Sequence, residues 1–89
     1  MAKIYYNRKS CGDVLFIIYD DNAFPDDIRK TDNVVSLYKD NKLIGINIFD
    51  FSKISRIFYE GEIIDPNPEF IKLINHILIN AHLEPIKEE

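Results

Sequence analysis

Eighty-nine residues with one cysteine and a net charge of −4 make a single small acidic domain, with no internal disulfide and no thiolate metal cage. An apolar fraction of 46% beside 29% charged residues is that of a globular chain, and a pI near 5.1 disfavours a module that grips nucleic acid by neutralising phosphate. The opening MAKIYYNRKS lacks a signal peptide's apolar stretch, and no run approaches a membrane span, so a soluble cytoplasmic protein is expected.

Lys3 to Asn7, rich in aromatic and β-branched residues, predicts a short strand, and Ser10, Gly12 and Asp13 a turn. The unbroken apolar run Val14 to Tyr19 predicts a central strand covered on both faces and paired with the first as a hairpin. Asp20 to Asn33 reads as a loop, with five aspartates, two asparagines and Pro25, pinned to the core by Phe24 and Ile28. It lacks the glycine and terminal glutamate of an EF-hand. A solvated loop is its default reading; the alternative is a nucleic-acid mimic, in which the aspartates stand in for phosphates.

Val34 to Phe49 predicts a second hairpin about the two-residue turn Asp40-Asn41. The simplest register sets Leu37 against Ile44 and Val35 against Ile46. On the other face Tyr38 meets Leu43, Ser36 meets Gly45, and Val34 meets Asn47. Glycine and asparagine are unusual in a strand; Gly45 is expected to permit a bend or close backbone approach, and Asn47 to bond backbone at the sheet's end. Asp50 or Ser52 can cap a short helical turn, followed by short strands at Ile57 to Tyr59 and Glu62 to Ile64.

The C-terminal helix carries the strongest local signals: Asn67 as N-cap, Pro68 at the first position and Glu69 at the positive dipole end. At 100° per residue, Phe70, Ile71, Leu73, Ile74, Ile77, Leu78 and Ala81 share one face, while Lys72, Asn75, His76, Asn80 and His82 lie outside it. Ile79 points away from the apolar face and is a candidate partner contact. Residues 84–89 read as a tail or the start of a linker.

Little of this points to a reaction. His76 and His82 are six apart and cannot share a metal across one helix turn. Cys11 reads as an incidental thiol beside a turn. No acid/base pair, nucleophile triad or metal set can be assembled, and no cofactor is expected. Arg8 with Lys9, and Lys53 with Arg56, form two small basic clusters, the only candidates for nucleic-acid contact; solubilising surface is the plainer reading.

Three segments together resemble the N-terminal domain of the YtpR family of bacterial tRNA-binding proteins. IYYNRKSCGDVLFII is similar to that family's opening strand, glycine-aspartate turn and apolar strand, with Asn7, Gly12 and Asp13 as its signature. VVSLYKDNKLIGINIFDFSKI is similar to its second hairpin, marked by Gly45 and Asn47. GEIIDPNPEFIKLINHILINAHL matches its closing helix, with His82 at the left-handed cap where family members place glycine. The resemblance implies a non-catalytic accessory domain, residues 1–83, that orients or supports a following oligonucleotide-binding barrel, the part that carries tRNA binding. The rival expectation is a protein-interaction module or homodimer, including a small acidic inhibitor. The predicted elements make a single α+β fold: a mainly antiparallel sheet of four or five strands with a C-terminal amphipathic helix packed on one face.

Overall fold

The computed structural model describes residues 3–6, 12–55, 61–63 and 68–86. The fold is α+β: an antiparallel sheet of strands β1 (Lys3–Tyr6), β2 (Val14–Ile18), β3 (Asp27–Thr31), β4 (Val34–Lys39), β5 (Lys42–Phe49) and β6 (Gly61–Ile63), with helices α1 (Phe51–Ser55) and α2 (Pro68–Asn80). Spatial order is β3-β4-β5-β2-β1-β6. The expected class is therefore observed, with six strands where four or five were expected. No helix among the described residues is long and apolar enough to cross a membrane.

Period-two alternation builds the core. Ile4 and Tyr6 of β1, Leu15 and Ile17 of β2, Val34 of β4, and Ile46 and Ile48 of β5 turn their side chains to one face. Against them lie Phe70, Ile71, Ile74, Ile77 and Leu78 of α2, the face that helical periodicity predicts. Phe51 is fully buried where the layers meet, edge-on to Tyr6 at 5.3 Å and to Phe70 at 5.9 Å between ring centroids.

Both ends of the last helix were legible. Pro68 opens it; the predicted cap Asn67 lies outside the described residues, as do the predicted strand at 57–59 and Cys11. At the other end His82 takes a φ of 63°, its N–H donates to the Ile79 carbonyl at 3.0 Å, and the Leu83 N–H to that of Leu78 at 2.9 Å. That pair of bonds is a Schellman cap with histidine in glycine's place. The chain does not fray there. Ile86 is buried, and the Asn75 side chain receives its N–H at 2.7 Å and donates to its carbonyl at 3.3 Å. A side-chain amide thus pairs with Ile86 as a strand neighbour would, and the packed unit extends past Leu83 to Ile86.

Three expectations need correction. Asp20 to Asn33 is not one loop, because Asp27–Thr31 forms β3, paired with β4 through the turn Asp32-Asn33. Phe24 and Ile28 do not pin it: they are 87% and 62% exposed, Phe24 in the segment before β3 and Ile28 on the edge strand itself. The β4–β5 register also departs from the simple one. Asp40 and Asn41 do form the turn, with φ of 52° and 64° as a type I′ turn requires, and Tyr38 does face Leu43. Beyond that pair a β-bulge leaves Ile44 unmatched, so Leu37 faces Gly45, Ser36 faces Ile46, Val35 faces Asn47 and Val34 faces Ile48. The bulge has a local cause. The chain leaving β2 must pass β5 and β4 to reach β3, and the Ile44 carbonyl accepts both the Tyr19 and Asp20 N–H groups at 3.0 and 3.1 Å.

Candidate functional site

The helices cover one face of the sheet. On the other, strand registers align two rows that run across five strands. One row is Tyr5, Phe16, Asn47, Val35 and Lys30; the next is Lys3, Ile18, Gly45, Leu37 and Ile28. Most of these side chains are half-buried, held by their neighbours in the sheet, and Ile28 is open to solvent. Val14 to Ile18 lacks alternation for this reason. Its inward residues meet α2, and its outward Phe16 and Ile18 belong to an apolar surface that no described helix covers. Among the described residues no helix supplies the expected cover on that side, although Val14, which shares it, is buried.

Gly45 and Asn47 sit in the middle of this surface. Gly45 is buried, and a Cβ there would lie 3.3 Å from the Ile17 carbonyl oxygen and 3.5 Å from Leu37 Cδ1, so strands β2 and β4 close in on it. Asn47 lies in mid-strand between Phe16 and Val35, not at the sheet's end, and no described residue hydrogen-bonds its amide. An amide with donors and an acceptor to spare, ringed by aromatic and aliphatic side chains, can fix the orientation of whatever packs over it.

At one border Lys3 donates to Asp21 at 3.0 Å, and these two with Tyr5 and Ile18 line a shallow depression of about 220 Å³. The lysine, through its hydrogen bond and its charge, holds the Asp21 carboxyl below the usual carboxylate range. A hollow of about 210 Å³ lies elsewhere, between the β3–β4 turn and the end of α2, lined by Asp32, Asn33, Ile77 and Asn80 among others. Among the described residues, no group of histidine, cysteine and carboxylate side chains could hold a metal ion.

The residues singled out from sequence do not converge on one place. Arg8, Lys9, Arg56 and Asn7 lie outside the described residues. Lys53 stands exposed on α1, 3.8 Å from Asp50 Oδ1. Ile79 is 57% exposed on the outer side of α2, near none of the sheet-face residues named above. Gly12 and Asp13 form a structural knot: Gly12 takes a φ of 68°, and the Asp13 carboxylate accepts bonds from the Tyr6 hydroxyl, the Ser52 N–H at 3.0 Å and the Ser52 hydroxyl. Asp13 thereby caps α1 from the bend that leads into β2, beside the fully buried Tyr6.

Sequence reading missed the sheet face as a unit because its members come from five separate strands. The signal that could have found it is the pairing of an unalternating strand, Val14 to Ile18, with a strand carrying a lone asparagine among isoleucines. No protein-family model matches the chain, and no curated protein or solved structure is significantly similar to it.

Proposed function

We propose that this chain is an accessory docking domain, which uses its open sheet face to seat another protein surface and has no strong hold on RNA itself. The observation that carries this reading is the two-row, largely apolar face with Asn47 at its centre, whose amide no described residue hydrogen-bonds. A contiguous apolar surface of a few hundred Å² or more on a small domain is the mark of an interaction site. The resemblance to the N-terminal domain of the YtpR family supplies the partner: an oligonucleotide-binding barrel that carries the tRNA contacts. Chemistry favours protein over bases on this face. Ile18, Val35, Leu37 and Ile28 are aliphatic, and the row beside them holds one aromatic pair, Tyr5 and Phe16, with centroids 6.3 Å apart.

The test is a titration of the isotope-labelled chain, followed by NMR, with a separately produced barrel domain of a YtpR-family protein and, in parallel, with tRNA at low and physiological salt. The barrel is expected to shift the signals of Phe16, Ile18, Leu37 and Asn47, and Asn47→Ala to weaken that binding by about tenfold. Shifts confined to α2, or none, would overturn the docking reading. Shifts caused by tRNA alone, lost steeply as salt rises, would make the face a nucleic-acid surface instead.

A further inference from the structure

The β3 edge of the sheet carries a second message. β3 lies outermost, all five of its residues are exposed, and among the described residues no strand pairs with the backbone groups on its outer side. Charged side chains on an edge ordinarily keep sheets apart. Here the charges are ordered: Asp26, Asp27, Ile28, Arg29, Lys30 reads minus, minus, neutral, plus, plus. Read backwards with its signs reversed, the string is unchanged. An antiparallel copy of it is therefore its own complement.

Geometry then selects the register. A twofold axis normal to the sheet preserves the side of the sheet on which each side chain stands. Facing residues must share a side, so one residue of each strand must face its own copy on the axis. Asp27, Arg29 or Lys30 on the axis would set like charges about 5 Å apart, a destabilising cross-strand pair. Thr31 on the axis would run the pairing into the Asp32-Asn33 turn. Ile28 on the axis alone avoids these faults. It brings two exposed isoleucines together and places Asp27 opposite Arg29 and Asp26 opposite Lys30, each twice.

We propose that β3 pairs antiparallel with β3 of a second copy, with Ile28 on the twofold axis, joining two six-stranded sheets into one. Within one chain these charges are engaged with each other and with β4 and its turn to β5, Asp26 also with Lys39 Nζ at 3.8 Å, and pairing across the axis exchanges those partners for the neighbour's. Arg29 Nε lies 3.0 Å from Asp27 Oδ2 with its guanidinium 4.2 Å above the Tyr38 ring, and Asp26 Oδ2 accepts the Asp40 N–H at 3.2 Å. Ile28 stands in the outer row of the open face, so pairing makes the two apolar faces continuous. The contact is short, so the dimer is a weak one, with a dissociation constant of about 10–100 μM, weakened further by salt. This inference uses the edge and not the face, and stands apart from the docking reading.

Sedimentation equilibrium of the full chain, from about 10 μM to 1 mM at low and moderate salt, tests it over the range where such contacts form. The wild type is expected to dimerise. Asp27→Arg and Arg29→Asp should each weaken self-association at least about tenfold, because like charges then face each other across the axis. Mixing these two variants should restore a one-to-one dimer, since every facing pair is again opposite in sign. Circular dichroism confirms that both remain folded. A wild type that stays monomeric to about 1 mM, a dimer indifferent to either substitution, or a mixture that stays monomeric would each overturn the proposal. Asn47→Ala should leave the dimer unchanged, which separates failure here from failure of the docking reading.

Discussion

Replacing Asp13 with alanine removes more than one contact. The buried Tyr6 hydroxyl loses an acceptor, and the first turn of α1 loses the carboxylate that receives the Ser52 N–H and hydroxyl. A lost cap and a newly exposed desolvation cost together amount to about 2–3 kcal/mol, and Asp13→Asn, which keeps one acceptor oxygen, should lose about half of that. Denaturant midpoints of the two variants check this; equal stability of Asp13→Ala and the wild type would contradict the capping role. A turn was legible in Gly12 and Asp13, but its purpose was not. Asp13 acts 39 residues away along the chain, a distance across which local propensity carries no information. Asn47 shows the converse. Its oddness was visible at once in an isoleucine-rich strand, yet its mid-strand place on an open face was hidden behind the bulge at Ile44.

The elements with strong periodicity or strong punctuation were readable: β1, β2, the Asp40-Asn41 turn and α2 from Pro68 to its histidine cap. β3 was not, and the reason is physical. A strand exposed along its whole length carries no alternation, and charges on its edge resemble a polar loop. One cue was present. Asp32-Asn33 repeats Asp40-Asn41 eight residues earlier, the spacing of successive turns in a three-stranded meander. The register failed because Leu43, Ile44 and Ile46 are all aliphatic, so a one-residue slip leaves the hydrophobic pattern almost unaltered. The β3–β4 turn yields a prediction of its own. Asp32, the first central residue of this two-residue turn, has a φ of 53°, in the left-handed region where glycine is favoured. Asp32→Gly should raise stability by about 0.5–1 kcal/mol, as glycine relieves a left-handed strain. A loss of stability in thermal unfolding would argue against the turn, and with it against β3.

Taken whole, the described residues form a sheet with helices on one face, no described helix on the other, and β3 and β6 at its two edges. The C-terminal segment returns to the sheet end where β2 stops. There, burial first and the Glu84 carboxylate second push the Tyr19 phenol above its ordinary pKa of 10.0. The folded state thus holds that proton more tightly than the unfolded state does. Its stabilising effect is complete below about pH 10 and is lost as pH rises through the raised folded value. Unfolding free energy should therefore decline on the alkaline side, and Tyr19→Phe should flatten that decline slightly, since the ring is 38% exposed. An identical alkaline profile for the two proteins, from denaturant titrations at several pH values, would count against it.

The grip of Asn75 on Ile86 governs reach. It fastens the chain beside the middle of α2, on the helix layer, while the open surface looks the other way. The molecule is 25 Å across its shortest dimension. Any segment continuing from Ile86 must round an edge before it can deliver a tethered domain onto the sheet. At about 3.3 Å per extended residue, that crossing takes on the order of eight residues as a minimum. A shorter tether would hold the attached domain against α2 and leave the sheet to a separate molecule. On the proposed docking reading, tether length selects between a partner in the same chain and one supplied from outside, and Asn75 sets where the measurement begins.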